Sequence, residues 1–128
     1  MVKTSYFYTG IRVKDLKESI DFYTKLLGMK VVDRNKIPIA KGEVVNLVSE
    51  DGGFILELNH YDKASKYNSR YVVGEGLDHL AFRADDLDGL LAEAKKIGYT
   101  PVAEMKTEHS RWVYLRDPNG IWIELNQG

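Results

Sequence analysis

Two kinds of hydrophobic spacing alternate along the chain and predict an order of strands and helices. In the first half, an alternating stretch at about residues 5–13 predicts a strand. Apolar residues then recur at helical spacing over about 16–27. Three further strands are predicted near 29–34, 43–48 and 53–60. The second half follows the same order, with a strand near 77–84, a helix near 87–97 and strands near 100–104, 110–116 and 121–126.

Start and stop signals flank both predicted helices. Asp15 and Asp86 are candidate N-caps, because an aspartate side chain can accept a hydrogen bond from the first turn. Gly28 and Gly98 are candidate C′ residues. Turn sequences stand before the last strand of each half, at Asp51-Gly52-Gly53 and Asp117-Pro118-Asn119-Gly120.

The two halves also share sequence, which indicates an internal repeat. The pattern Arg-x-x-Asp-Leu occurs at 12–16 and again at 83–87, each time between the first strand and the helix. The closing strands read Gly-Phe-Ile-Leu-Glu-Leu-Asn at 53–59 and Gly-Ile-Trp-Ile-Glu-Leu-Asn at 120–126. We therefore expect one α+β domain over residues 1–128, with a βαβββ repeat at about 4–61, a linker at about 62–74 and a second repeat at about 75–126.

Strand parity separates a core face from a polar face. The apolar rows predicted to pack under the helices are Phe7, Ile11 and Val13; Phe54, Leu56 and Leu58; Leu80, Phe82 and Ala84; and Ile121, Ile123 and Leu125. The other face carries Tyr8, Glu57, His79 and Glu124, and the repeat pairs Tyr8 with His79 and Glu57 with Glu124. We expect a curved mixed sheet around a cavity, with the helices outside and these four side chains converging within it.

Composition and charge exclude several classes of protein. The 128 residues carry a net charge of −1 without long runs of one sign, so we expect no nucleic-acid partner. The absence of cysteine excludes disulfides, thiolate ligands and a cysteine nucleophile, and it is compatible with a reducing cytoplasm. The first residues have no apolar stretch, and no apolar run is long enough to span a bilayer. We expect a cytoplasmic protein with no membrane partner.

Several stretches resemble the vicinal-oxygen-chelate superfamily, which includes glyoxalase I, extradiol dioxygenases, methylmalonyl-CoA epimerase and the bleomycin and fosfomycin resistance proteins. The matching stretches are 9–16, 19–29, 54–58, 78–82 and 117–125, which together span nearly the whole chain. The resemblance specifies the superfamily strongly and the individual member weakly.

The resemblance implies a set of metal ligands. Glyoxalase I-like members take one ligand from each of four strands, usually His, Glu, His and Glu, and these positions fall on Tyr8, Glu57, His79 and Glu124. Tyr8 departs from that pattern. The remaining O/N set suits a divalent ion but does not distinguish Ni, Co, Mn, Fe and Zn. Three protein ligands would leave open positions, as catalytic sites do.

The chemistry implied is proton abstraction from a small substrate that chelates the ion through neighbouring oxygens. Glu57 or Glu124 would take the proton, and both are therefore candidate catalytic residues. Tyr8 could be a weak ligand, could hydrogen-bond to the substrate or could fill the place of the lost ligand.

Other residues are candidates for substrate binding. Arg12 and Arg83 share the polar parity and could bind an anion, although pairing with Asp15 or Asp86 is the favoured interpretation. Trp122 also has the polar parity. Arg111 and Trp112 follow a polar loop and could line the mouth of the cavity, with Trp112 equally suited to the core.

Three functions follow from the resemblance. The first is a metal-dependent lyase or isomerase similar to glyoxalase I, or lactoylglutathione lyase. The second is a metal-free binding or antibiotic-resistance protein, of which Tyr8 would be the first sign. The third, an oxygenase resembling extradiol dioxygenases, ranks lowest because its ligand at position 8 is missing. Family members commonly pair two chains, so a homodimer is expected, with the ligands in one chain or divided between two.

Overall fold

The chain forms two compact units whose boundary lies within the predicted linker. A computed structural model describes Lys3 and residues 6–127. The units are Met1–Arg70 and Tyr71–Gly128, and each contains one of the predicted repeats. That the two repeats make up a single domain stays a prediction.

The first unit has the predicted order of one strand, one helix and three strands. Its elements are β1 (Thr9–Arg12), α1 (Leu16–Asp21) continued by a π-helix (Phe22–Leu26), β2 (Lys30–Ile37), a 3-10 helix (Pro38–Ala40), β3 (Gly42–Val48) and β4 (Ile55–Tyr61). The sheet order is β1-β4-β3-β2, with β1 parallel to β4 and the other pairs antiparallel. Helix α1 packs against β4.

The second unit repeats this arrangement. Its elements are β5 (His79–Arg83), α2 (Leu87–Lys96), β6 (Ala103–Lys106), β7 (Arg111–Arg116) and β8 (Trp122–Gln127). The sheet order is β5-β8-β7-β6, with β5 parallel to β8 and the other pairs antiparallel. Helix α2 packs against β8. The α+β class with two βαβββ repeats is confirmed, and the strands described form two four-stranded mixed sheets, one in each unit.

The strand registers show how closely the repeats correspond. Thr9 is paired with Leu56 in the first unit, and Leu80 is paired with Ile123 in the second. The sequence repeat makes these two pairs equivalent, since it aligns Thr9 with Leu80 and Leu56 with Ile123. It follows that Glu57, paired with Gly10, and Glu124, paired with Ala81, occupy equivalent places in their sheets.

Both predicted N-caps are confirmed. The Asp15 carboxylate accepts a 2.8 Å hydrogen bond from the backbone N–H of Glu18, and Asp86 accepts a 3.0 Å bond from that of Gly89. Each carboxylate satisfies a backbone donor that has no partner within its helix. Gly28 and Gly98, at φ of 75° and 93°, end the two helical segments in a conformation that other residues rarely adopt.

Of the predicted apolar rows, those of Ile11, Leu56 and Ile123 are buried apart from Phe7 and Phe54, whereas the row of Leu80, Phe82 and Ala84 is only half-buried. Fully buried pairs such as Val45 with Leu58 and Val113 with Leu125 lie side by side on the face that the helix covers. The prediction that Phe7 and Phe54 belong to these rows is wrong, since they are 78% and 74% exposed in the single chain. Phe54 directly precedes β4 and Phe7 lies two residues before β1, so both are outside the strands in which alternation sets the face.

The helices described are too short or too polar to cross a membrane. A cytoplasmic location stays a prediction.

Candidate functional site

His79 and Glu124 lie together on the face of the second sheet that α2 does not cover. They belong to the neighbouring parallel strands β5 and β8, and His79 Nε2 is 3.9 Å from Glu124 Oε1. The side chains are 35% and 18% exposed, so both remain accessible from solvent. The prediction that both lie on the polar face is confirmed for Glu124, because its strand neighbours Ile123 and Leu125 are fully buried on the opposite face.

The His79 ring contacts the exposed carboxylate of its neighbour Asp78. His79 Nδ1 lies 2.7 Å from Asp78 Oδ2. An ionised carboxylate can only accept, so Nδ1 carries the proton and Nε2 of the neutral ring keeps its lone pair. A carboxylate on one ring nitrogen is the usual support for a histidine that binds metal through the other.

Glu124 is held by a tyrosine that the sequence analysis did not single out. The Tyr114 hydroxyl donates a 2.8 Å hydrogen bond to Glu124 Oε1. This bond raises the pKa of the Tyr114 phenol above its ordinary value, so the hydroxyl stays protonated and remains the donor at neutral pH. Tyr114 was discoverable from sequence, because counting back across the Asp117–Gly120 turn places it opposite Glu124.

Tyr8 and Glu57 both lie beside Gly10 in the first unit. A Cβ placed on Gly10 would lie 3.7 Å from Glu57 Oε1 and 3.9 Å from Tyr8 Cε2. Tyr8 is 40% exposed, and its ring packs edge-on against Phe7 at 4.9 Å between centroids. The residues that replace His79 and Glu124 in this repeat therefore border one backbone position, with a phenol in the place of the imidazole.

The pair in the second unit fits a divalent ion. A nitrogen and an oxygen bound to one tetrahedral ion stand roughly 3.4 Å apart, from bond lengths of about 2.0–2.2 Å, and the observed 3.9 Å is close to that. Across the part of the chain that the structure describes, however, no group of three or more His, Asp or Glu side chains could hold a metal by itself. The full set of Glu57, His79, Glu124 and Tyr8 stays a prediction.

Arg12 and Arg83, the two arginines predicted to lie on the polar face, have different surroundings. Arg12 Nη1 donates to the Ser69 hydroxyl at 3.2 Å and to the Tyr67 carbonyl at 3.4 Å, both in the linker. Arg83 is exposed, and it forms no ion pair with any residue in the described ranges. The favoured pairing of Arg83 with Asp86 is therefore not found, and Arg83 stays a candidate for anion binding.

Arg111 lies on the opposite face of the second sheet from Glu124. Its guanidinium pairs with Asp88 at 2.6 Å and with Glu104 at 2.7 Å, and these carboxylates raise its pKa. Asp88 belongs to the first turn of α2, so its ion pair with Arg111 joins the helix to β7 on the face that the helix covers. The position of Arg111 after a loop predicts a place at the mouth of a cavity. The strand register instead pairs Arg111 with Gln127 and puts its side chain on the face that α2 covers. Arg111 is therefore not part of the proposed substrate site.

Trp122 and Trp112 do lie on the face of Glu124. Trp122 is 36% exposed, its ring centroid is 5.5 Å from that of Tyr114, and the Arg116 guanidinium lies 5.9 Å from it. Trp112 is half-buried and paired with Asn126. An aromatic surface thus adjoins the His79–Glu124 pair.

Comparisons with known proteins agree with this fold. The family model of the Glyoxalase/Bleomycin resistance protein/Dioxygenase superfamily matches residues 5–125. A lactoylglutathione lyase of Neisseria meningitidis is 32% identical over 126 residues, covering 94% of this chain and 88% of that protein. A lactoylglutathione lyase of Pseudomonas aeruginosa is 28% identical over 141 residues, with 94% and 80% covered.

A solved structure gives the same result. The trypanothione-dependent glyoxalase I of Leishmania major superposes with a TM-score of 0.76 at 31% identity, covering 98% of this chain and 87% of that one. The chain belongs to the Glyoxalase/Bleomycin resistance protein/Dioxygenase superfamily. Within it, the chain is a glyoxalase I-like lyase.

Proposed function

We propose that the chain is a metal-dependent lyase of the lactoylglutathione lyase type, acting on the hemithioacetal of a thiol with a 2-oxoaldehyde. The observation that supports this most is the placement of His79 Nε2 and Glu124 Oε1 3.9 Å apart on an accessible face. Relatives named lactoylglutathione lyase match along 94% of the chain. A hemithioacetal offers two neighbouring oxygens and an acidic C–H, which is the substrate chemistry that such a site needs.

We propose Glu57, His79 and Glu124 as the metal ligands, with Tyr8 at the fourth position. His79 presents Nε2 because Asp78 holds Nδ1. A divalent ion bound there would supply positive charge to stabilise the negative charge that develops on the two substrate oxygens. Nickel, cobalt, manganese, iron and zinc all suit this O/N set.

One of the two glutamates would take the proton from the substrate carbon and return it to the adjacent carbon. A carboxylate can do this when it lies within hydrogen-bond reach of the C–H in the bound substrate. Trp122 would shield the reacting carbon from water, and Arg12 and Arg83 would attract an anionic thiol carrier. The variants E57Q and E124Q separate the two candidates, because loss of the base lowers kcat far more than it raises KM.

Turnover tests the proposal directly. The protein, loaded with Ni²⁺ or Zn²⁺, is mixed with methylglyoxal and glutathione, and thioester formation is followed by its ultraviolet absorbance. We expect catalysis that H79A abolishes and that H109A, a change at an exposed loop histidine, leaves intact. Thioester formation no faster than in the absence of protein, with every metal and with other thiols, would contradict the proposed reaction.

We also propose a homodimer in which the ligand set is completed, either within one chain or between two. Mixing E57A with H79A distinguishes these arrangements after the subunits have exchanged. If each site takes Glu57 from one copy and His79 from the other, the mixture regains activity, because a mixed dimer contains one intact site. If the set lies within one chain, the mixture stays inactive. A monomer by light scattering would contradict the dimer.

A further inference from the structure

The Tyr114–Glu124 contact is built into the second sheet. The two residues lie directly opposite each other on the antiparallel strands β7 and β8. The hydroxyl donates to Glu124 Oε1 at 2.8 Å. The ring itself is supported on the same face, with centroids 5.9 Å from His79 in an edge-on contact and 5.5 Å from Trp122. The donor is therefore fixed in place before any ligand arrives.

This contact leaves Glu124 able to bind a cation. An ionised carboxylate has about four lone-pair directions on its two oxygens, and one hydrogen bond uses one of them. Oε2 and the remaining direction on Oε1 stay available. Because the side chain is already restrained, less rotamer freedom remains to be lost when an ion binds.

The described residues of the first unit make no equivalent contact. Asn46 is paired with Glu57 as Tyr114 is with Glu124. The Asn46 amide donates instead to Asp33 Oδ1 at 2.8 Å. Among the residues that the structure describes, no hydrogen bond reaches the Glu57 carboxylate. The restraint is thus a property of the second unit rather than of the βαβββ repeat.

We propose that Tyr114 is a positioning residue that holds Glu124 in the conformation in which it binds the metal. The inference rests on the proposed metal site and adds a group that contacts neither metal nor substrate in that scheme. Its effect is on affinity, since an unrestrained Glu124 has to be ordered by the ion itself. Losses of about 10- to 100-fold in metal affinity are typical when such outer contacts are removed.

The test compares Ni²⁺ binding by metal-free wild-type protein, Y114F and Y61F, using competition with a chromophoric chelator. Y114F keeps the ring and removes only the hydroxyl. Tyr61 is a matched control, because it is half-buried and its ring stacks on Tyr67 at 5.6 Å, while its hydroxyl makes no hydrogen bond to any residue described. Thermal unfolding of the three metal-free proteins is recorded in parallel.

We expect Y114F to bind Ni²⁺ about 10- to 100-fold more weakly than wild type and Y61F to bind within about twofold of it. Equal affinity in Y114F and wild type, whether or not the melting temperature falls, would overturn the positioning role and leave the metal site standing. Failure of the wild-type protein to bind Ni²⁺ would overturn the proposed function, and the role of Tyr114 with it.

Discussion

Asp117 organises the turn that leads into β8, and its removal should destabilise the second unit severely. Asp117 is 4% exposed and Asn119 is 1% exposed. Asp117 Oδ1 accepts from the backbone N–H groups of Asn119 and Ile121, both at 2.8 Å, and Oδ2 accepts from the Asn119 amide at 2.9 Å. The substitution D117A leaves three donors without this carboxylate in a site with little access to water.

The cost follows from those three bonds. A buried donor left unsatisfied costs about 1–3 kcal/mol, and entry of water reduces the sum. We therefore expect D117A to lose about 3–5 kcal/mol, a large share of the roughly 5–15 kcal/mol that stabilises a typical domain. D117N should lose much less, because its amide oxygen can still accept from both backbone groups.

Urea unfolding measures this loss by tryptophan fluorescence, which reports on the second unit through Trp112 and Trp122, and by far-ultraviolet circular dichroism, which reports on both units. The matched control is D51A, at the turn before the last strand of the first unit, where Asp51 is exposed and accepts from the Ser49 hydroxyl and the Gly53 N–H. A D117A loss below about 1 kcal/mol, or one no greater than that of D51A, would refute the buried-turn argument.

Three further predictions concern stability and pH. D86A should cost about 1 kcal/mol by removing the α2 N-cap, measured by urea unfolding, and D86S should recover most of the loss. L125A should cost about 2–5 kcal/mol because Leu125 is fully buried, and a loss near zero would show that the core is not packed as described. The Ser49 hydroxyl and then the Gly53 N–H lower the pKa of Asp51, so its contribution to stability is present above the unfolded-state pKa and disappears as the pH falls through the folded-state pKa. Carboxyl NMR titration should show that S49A raises this pKa, and an unchanged value would contradict the assigned cause.

The repeat made most of the fold predictable. Shared motifs at 12–16 and 83–87 implied that both halves have one topology, and the matching registers of β1 with β4 and of β5 with β8 confirm it. The caps Asp15 and Asp86 were readable because capping depends on local sequence. In each case the information lies within a few residues of the element concerned.

The exposure of Phe7 and Phe54 was not predictable from alternation. Alternation assigns a face only where the strand exists, and β1 and β4 begin after these residues, at Thr9 and Ile55. Strand ends depend on which backbone groups find a partner, and that is a property of the assembled sheet.

The sequence predicts the candidate ligands well, and it predicts the side chains that surround them less well. Parity and the repeat predict that His79 and Glu124 share a face, and the family resemblance makes them candidate ligands; the second sheet brings the two together. The position of Arg111 after a loop predicts a place at a cavity mouth, whereas its pairing with Gln127 puts it beside α2. The role of Tyr114 becomes apparent only when its partner across the hairpin, Glu124, is identified.

Bound metal is the most direct measurement of the central claim, that Glu57, His79 and Glu124 hold a divalent ion. The protein is purified without chelators and without a His-tag, and metal content is measured by mass spectrometry before and after reconstitution with Ni, Co, Mn, Fe and Zn. The account predicts nearly one ion per site in wild type and H109A, with loss in E124A. Absence of metal from wild type after every reconstitution would contradict it, and the chain would then be a metal-free binding protein on this fold.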